Sequence, residues 1–516
     1  MPVPDAHGAT LTSTIAPTRI LKSPLLPDAS RLLSLRPEEW RQLHSRLREI
    51  GLTEDYVGQI TKVGEQLLDI AIPPLRNWHA RRLREPAAYA MRMLMLDDPV
   101  TSEEAQLALS EYLLEKLIAV GLIMEDERGL VSPFRVIVGD DLYIICDDLT
   151  RGNDAVMGAG DTTNTLCQAS YPTQSIGQIL DLGCGAASCA LLFSRRAKRV
   201  VATDINHRAI LLSQINAALN SVTNIDFREG DLFAPVEGEA FDLIVSQPPY
   251  FAKPEGVEHK TFLYGGARGD ELPLRCLSEL PRHLKPDGRA VVLVEWPDIC
   301  DEPVEDRVGA AICSSDANVL ILKYPSRGLD DFCTRYAAIE HPRLGDSFER
   351  KAVLRREHLE KVGVGGLTLT LIVIQRNSNG LRWADTLEVP AADADGIPST
   401  RIDKLISARD LLAETPDKLL AARLRVPEAT VFAREYSLSK PDQPKFTARF
   451  PHGSLAGTVS LNSGTLLLLT LLNETSDVRS AVQRFAQCEA VTLDDALQRL
   501  LPGLREALRA GMLEVS

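Results

Sequence analysis

The sequence predicts an α/β protein: a mostly parallel, Rossmann-like sheet covered by helices on both faces, with a helical, winged-helix-like domain on either side of it. Three observations lead there. Between Ile179 and about Arg376, short apolar runs alternate with segments of helical period, the pattern of strands buried on both faces. The run from Gln178 to Ser188 reads as an apolar strand, a glycine turn and the first turn of a helix. Before it, a set of helices leads into a two-strand ribbon, and after Val389 the composition shifts to a linker and more helices.

Taken in order, residues 1–28 form a flexible lead rich in Pro, Ser, Thr and Ala. The N-terminal domain spans 29–148. Arg36-Pro37-Glu38-Glu39-Trp40 starts a helix, with proline and acids in its first turn. A basic cluster at 76–84 surrounds Trp78; a solvated helix face is the simpler reading, a nucleic-acid contact the other. Thr101 to Glu104 starts another helix, Tyr112 to Val120 continues, and strands follow around Val131–Val138 and Asp141–Ile145. The polar stretch 149–174, with Gly158, Gly160 and Asp161 to Thr165, reads either as a linker or as a cover over a site.

The central domain spans 149–389, with strands expected at 179–182, 199–203, 224–228, 242–246, 289–296, 318–323 and 367–375. The helix after Asp204 places Ala209, Leu212, Ile215 and Leu219 on one face. Ala391 to Pro398 reads as a linker into the C-terminal domain, 390–516. That domain is expected to hold helices at 401–413 and 416–424, strand-like pieces near Thr447–Phe450 and Gly457–Leu461, and three closing helices.

At 516 residues the chain is long enough for several domains. A net charge of −14 disfavours general attraction to nucleic acid or to an anionic membrane. The nine cysteines carry neither a CxxC pair nor a Cys/His zinc spacing, which predicts reduced thiols in the cytoplasm and no metal. No signal-peptide pattern opens the chain. The apolar run Leu466–Leu472 is far short of the ~20 residues that cross a bilayer.

The chemistry lies in a series of strand ends. Asp181 precedes the glycine turn, Asp204 closes a second strand about 20 residues on, Asp231 follows a third, and a fourth runs into Gln247-Pro248-Pro249-Tyr250. The spacing GxGxxS lacks the third glycine of a dinucleotide fingerprint, and a dehydrogenase has no use for polar-Pro-Pro-aromatic. For each acid, a helix N-cap is the alternative reading.

Together, ILDLGCGAASC (179–189), VVATDIN (200–206), REGDLF (228–233) and FDLIVSQPPY (241–250) resemble class I S-adenosylmethionine-dependent methyltransferases over roughly 155–380. The resemblance implies a seven-stranded sheet with an antiparallel final hairpin, and S-adenosyl-L-methionine as cofactor. It places Asp181, Gly183 and Gly185 near the amino-acid part and ribose, Asp204 on the ribose hydroxyls, Ile205 on the adenine, and Asp231 on its amino group with Leu232 beside the ring.

QPPY resembles the (Asn/Asp/Ser)-Pro-Pro-(Tyr/Phe) motif of the small-methyltransferase-domain subgroup, whose members methylate planar nitrogen. By that resemblance Gln247, Pro248 and Tyr250 carry catalysis, and Tyr250, His259 and Arg268 contact the acceptor. Gln247 departs from the pattern: one methylene longer than Asn, it moves its amide oxygen by about 1.5 Å unless the backbone adjusts. The layout from about Pro73 to Tyr250 also resembles a bacterial group with a helical, winged-helix-like domain before the small-methyltransferase domain. The expected function is methyl transfer to N or O of a protein, peptide or small-molecule acceptor. The alternatives are an rRNA, tRNA or DNA base N-methyltransferase and a catalytically inactive cofactor-binding regulator.

Overall fold

The computed structural model describes residues 25–61, 72–312, 316–341, 344–378, 380–393, 396–437, 440–451 and 454–516. Residues 1–24 of the expected flexible lead, part of the 391–398 linker, and Cys313 lie outside them. Asp28 accepts a hydrogen bond from Ser30 N and caps a 3₁₀ turn at Ala29–Ser34.

The N-terminal part is built from α1 (Pro37–Glu49), α2 (Glu54–Thr61), α3 (Ile72–Arg82), α4 (Pro86–Leu94), α5 (Ser102–Leu109) and α6 (Glu111–Ala119). A capping box between Thr101 and Glu104 starts α5. Two hairpins follow: β1 (Met124–Asp126) with β2 (Gly129–Val131), and β3 (Arg135–Gly139) with β4 (Leu142–Cys146). Val100, between α4 and α5, bridges to Leu130 of β2.

The central part runs α7 (Asp161–Ser170), β5 (Ile176–Leu182), α8 (Ser188–Phe193), β6 (Ala197–Asp204), α9 (His207–Leu219), β7 (Ile225–Glu229), β8 (Phe241–Ser246), β9 (Phe251–Ala252), β10 (Tyr264–Gly266) and α10 (Glu271–Glu279). It continues with β11 (Leu284–Ile299), α11 (Val304–Ile312), β12 (Ala317–Lys323), β13 (Arg327–Gly328), α12 (Leu329–Glu340), α13 (Asp346–Lys361), β14 (Val364–Arg376) and β15 (Ala384–Glu388). The sheet order is β15-β12-β14-β11-β8-β5-β6-β7, with β13 on β14. Strands β7, β6, β5, β8 and β11 are mutually parallel, and β14 runs antiparallel to both its neighbours.

Alternate residues of these strands face opposite cores. Ile179, Val200, Leu243 and Val291 pack with the N-terminal helices, while Leu180, Val201, Ile244 and Val292 pack on the other side. This is the two-sided burial that the near-continuous apolar runs required.

Among the described residues the sheet has nine strands rather than the seven expected. The short β13 and the edge strand β15 are the additions. Ala-Asp-Thr-Leu-Glu in β15 carries no apolar pattern; it is held by main-chain pairing to β12 and by Asp385, whose carboxylate binds Arg409 and Arg509 of the C-terminal part. That part comprises α14 (Ser399–Ala413), α15 (Pro416–Ala421), β16 (Leu424–Arg425), β17 (Val431–Ser437), β18 (Lys440–Arg449), β19 (Thr458–Leu461), α16 (Ser463–Glu474), α17 (Val478–Cys488), α18 (Leu493–Arg509) and β20 (Glu514–Val515). Its own apolar cluster joins α15 to α18, and β16 pairs with β20. Strand β17 was not anticipated; it lies at the edge of the β17-β18-β19 sheet and leaves Val431 and Phe432 exposed.

Asn216 of α9 and Asn220, the residue that caps its C-terminus one turn on, dock the N-terminal hairpin. Asn216 accepts from Ile145 N at 2.8 Å and donates to Ile145 O at 2.9 Å and Ala186 O at 3.0 Å. Asn220 treats Tyr143 alike, at 3.0 and 2.7 Å. They act as a substitute strand for the edge of β4. Asn216→Leu leaves several buried main-chain groups unpaired, so a loss of roughly 2–4 kcal/mol is expected. A lowered melting temperature in calorimetry checks it; an unchanged one refutes the docking role.

Candidate active site

The site forms where the parallel strands end, on both sides of the point at which strand order reverses. Register aligns Leu182 of β5 with Thr203 of β6 and Ser246 of β8. After Leu182 the chain must turn sharply into α8. Gly183 and Gly185 do so at φ +76° and +54°, a region that favours glycine. A Cβ on Gly183 would meet no atom within 4 Å, so the turn presents bare backbone to open space.

Two carboxylates organise this wall. Asp181 accepts from Ala190 N at 2.8 Å and so caps α8 from beneath. Burial pushes its carboxyl up to about 7, and the nearby Asp204 adds to the shift. Asp204 accepts from Gly185 N and Asn206 N, both at 2.9 Å, which ties the end of β6 to the glycine turn. Burial raises its pKa as well, against those hydrogen bonds. Between them, Thr203 Oγ1 is buried without a hydrogen-bond partner.

A cavity of about 310 Å³ opens at these strand ends. Asp181, Gly183, Gly185, Asp204, Ile205, Asp231, Leu232, Gln247, Pro248, Tyr250 and His259 all line it. Ile205 keeps 57% of its surface exposed there. The Asp231 carboxylate is paired with Arg275 at 2.7 Å, and His259 is an exposed residue whose ring lies 6.2 Å from that of Tyr264. Arg268 is not brought to the cavity. Its guanidinium is drawn off by Glu302 at 2.7 Å and Asp270 at 3.3 Å, which corrects its expected place beside the acceptor.

At the other end of the cavity the QPPY segment leaves β8. Gln247 Nε2 donates to Thr162 Oγ1 of α7 at 2.7 Å. Tyr250 is buried, which raises its phenol above the usual range. Ser246 turns its hydroxyl to Leu182 O at 2.8 Å and serves the sheet. Strand β10 packs directly on the motif: a Cβ on Gly265 would lie 2.4 Å from Pro249 O and 2.9 Å from Tyr250 Cα.

The stretch before α7 covers the cavity, one of the two readings the sequence allowed. Met157 and Gly158 line it together with Thr163 of α7, and Asp154 is held from both sides, by Asn206 Nδ2 and Thr261 Oγ1, each at 3.0 Å. Sequence reasoning missed Thr203 and Met157. The spacing of Gly158 was the one available signal: a Cβ there would strike Ile137 Cδ1 at 2.4 Å.

The strand order around β5, the antiparallel β14, the glycine turn and the acid closing β6 define the class I methyltransferase fold, that of the S-adenosylmethionine-dependent enzymes. Residues 159–264 match the family of the methyltransferase small domain.

The chain is 38% identical over 120 residues to a putative protein N5-glutamine methyltransferase of Methanocaldococcus jannaschii, covering 22% of this chain and 60% of that protein. It is 30% identical over 190 residues to a ribosomal protein uL3 glutamine methyltransferase of Bradyrhizobium diazoefficiens, covering 34% and 54%. It is 26% identical over 152 residues to a ribosomal RNA small subunit methyltransferase C of Alcanivorax borkumensis, covering 27% and 42%. The matches thus span about half the length of these relatives.

Proposed function

We propose that this chain transfers the methyl group of S-adenosyl-L-methionine to a side-chain nitrogen of a protein. One observation carries the reading: a single cavity joins the Asp204–Ile205 wall to Gln247-Pro248-Pro249-Tyr250. The printed names of the first two relatives, both glutamine methyltransferases, support a protein acceptor.

The residues fit the cofactor on their own chemistry. A buried carboxylate, Asp181, and a half-buried one, Asp204, suit a ligand with cationic groups and hydroxyls. The unpartnered Thr203 Oγ1 offers a hydrogen bond, the open side of Gly183 admits close approach, and Ile205 offers an apolar face to a flat ring. When bound, S-adenosylmethionine supplies an electrophilic methyl group. Gln247 and the Pro248 carbonyl would accept hydrogens from the acceptor nitrogen, the Tyr250 side would position the planar group, and the 154–158 cover would keep water out. His259 stands at the cavity as an acceptor contact.

A pH dependence follows. With its folded pKa near 7 against an ordinary 3.8, Asp181 is protonated in the free protein at mildly acidic pH. A cationic ligand favours the ionised form, so binding releases a proton. Affinity is expected to rise by up to about tenfold per unit toward pH 7 and to level off above it. The same raised pKa stabilises the free fold below about pH 4, and that contribution is lost as pH rises through 7. Calorimetry with S-adenosylmethionine from pH 5.5 to 8.5 checks the first effect, and Asp181→Asn should flatten it; a flat wild-type profile refutes the assignment.

The function itself is tested by radiolabelled methyl transfer into cell extract treated with protease or with nuclease. Label lost to protease supports the proposal; label lost only to nuclease supports a base N-methyltransferase instead. Two observations favour that second reading: the ribosomal RNA relative, and the order α4, Val100, α5, α6, β1, β2, which we read as a winged helix within a 29–148 domain. The C-terminal domain, 390–516, is read as a second winged-helix-like unit joined to the 149–389 domain. No label in either fraction, from wild type or from Gln247→Asn, would leave a cofactor-binding regulator.

A further inference from the structure

We propose that Cys167 and Cys189 close into a reversible disulfide that loosens the hold of the cavity on S-adenosylmethionine. The inference rests on the reading of that cavity as the cofactor site.

Cys167 lies on α7, and Cys189 is the second residue of α8. Both are free thiols, and their sulfurs lie 3.5 Å apart. This is the one sulfur–sulfur contact among the described residues. No CxxC spacing announces the pair; the packing of α7 on α8 makes it. A disulfide asks for a further approach of about 1.5 Å, within reach of side-chain rotation and a small movement of α7 toward α8.

The two exposures suit stepwise oxidation. Cys167 is half-buried, while Cys189 is buried and lines the cavity. The Cys167 sulfur beside it, and burial, push the Cys189 thiol up, so Cys189 stays protonated and slow toward a soluble oxidant. Cys167 is the sulfur that meets hydrogen peroxide. Its thiolate attacks one peroxide oxygen, the O–O bond breaks, and the leaving hydroxide is protonated to water, which gives a sulfenic acid. Cys189 then attacks that sulfur. The S–S bond forms, the S–O bond breaks, and the leaving hydroxide takes the Cys189 proton to become a second water. Two electrons pass from the sulfurs to the peroxide, and a dithiol reverses the step by thiol–disulfide exchange.

Position gives the bond its consequence. Thr163 and Leu166 of α7 line the cavity, and Thr162 accepts from Gln247. On the other wall, Ser188 and Cys189 open α8 directly after the glycine turn, and the next residue, Ala190, donates to Asp181. Drawing the sulfurs together moves the start of α8 against its Asp181 cap and the turn that presents bare backbone to the ligand. Cys184, another cysteine of this cavity, faces Ser213 Oγ at 3.6 Å instead.

The test treats the full-length protein with hydrogen peroxide and maps its peptides after the remaining thiols are alkylated. Wild type should lose two hydrogens in mass and yield a peptide pair that joins Cys167 to Cys189. Calorimetric affinity for S-adenosylmethionine should fall about tenfold or more, and dithiothreitol should restore it. Cys167→Ser should form no link and keep its affinity through the same treatment. Cys189→Ala, whatever its starting affinity, should also be indifferent to peroxide, which keeps the test decisive if Cys167→Ser misfolds.

A peptide map without the Cys167–Cys189 link, an unchanged affinity in the linked protein, or an equal loss in Cys167→Ser would overturn the inference. If reduced wild type binds no S-adenosylmethionine, the functional reading fails, and the peptide map still decides whether the pair closes.

Discussion

Asp204→Ala is expected to weaken S-adenosylmethionine binding by about two orders of magnitude or more. Hydrogen bonds to a charged group are worth roughly 1.5–3 kcal/mol each, and more than one is lost. The direct loss is the acceptor at the end of β6. The indirect loss is the anchor of the glycine turn, since Gly185 N donates to the same carboxylate. The fold should survive, because removing a carboxyl whose pKa burial has raised also removes the cost of ionising it there. Calorimetry at pH 8 reads the affinity, and the melting temperature of the unliganded variant reads the fold. A dissociation constant within threefold of wild type would refute the assignment of this wall to the cofactor.

Gly265→Ala separates the other half of the site. The added Cβ would meet Gly269 O at about 2.3 Å, Pro249 O at 2.4 Å and Tyr250 Cα at 2.9 Å. These are backbone atoms, so β10 or the motif must move, and a shift of about 1 Å at a reacting centre costs on the order of 10²-fold in rate. Transfer into protein is expected to fall by that order while cofactor affinity changes little, because Asp204 and Gly185 lie on different strand ends. Equal losses of transfer and of binding would mean that β10 supports the whole cavity. Unchanged transfer would mean that it does not support the motif.

The two variants also divide the site by how legible it was. The wall at the ends of β5 and β6 was readable as a set of positions because its geometry is local. Strand, glycine turn, helix and the acid about 20 residues on lie within one βαβ unit, and their relative positions follow from strand register. Asp231 was readable as a position, but its carboxylate turned to Arg275, a partner on α10 that no spacing predicts. Arg268 failed for the same reason. Its neighbour Asp270 is buried with Arg307 of α11, and Glu302 precedes that helix, so the guanidinium was captured by charges far along the chain. The extra strand β15 carries no periodic apolar pattern because a sheet edge recruited it through main-chain hydrogen bonds and one buried carboxylate.

By itself, the sequence determined the alternation of strands and helices, the strand ends at which a ligand could sit, and the departure at Gln247. Each follows from side-chain period and backbone freedom within a short stretch. Only the tertiary structure decided what the Gln247 amide meets. Its partner Thr162 lies on α7, 85 residues earlier in the chain, and long-range packing rather than any local spacing brings the two together.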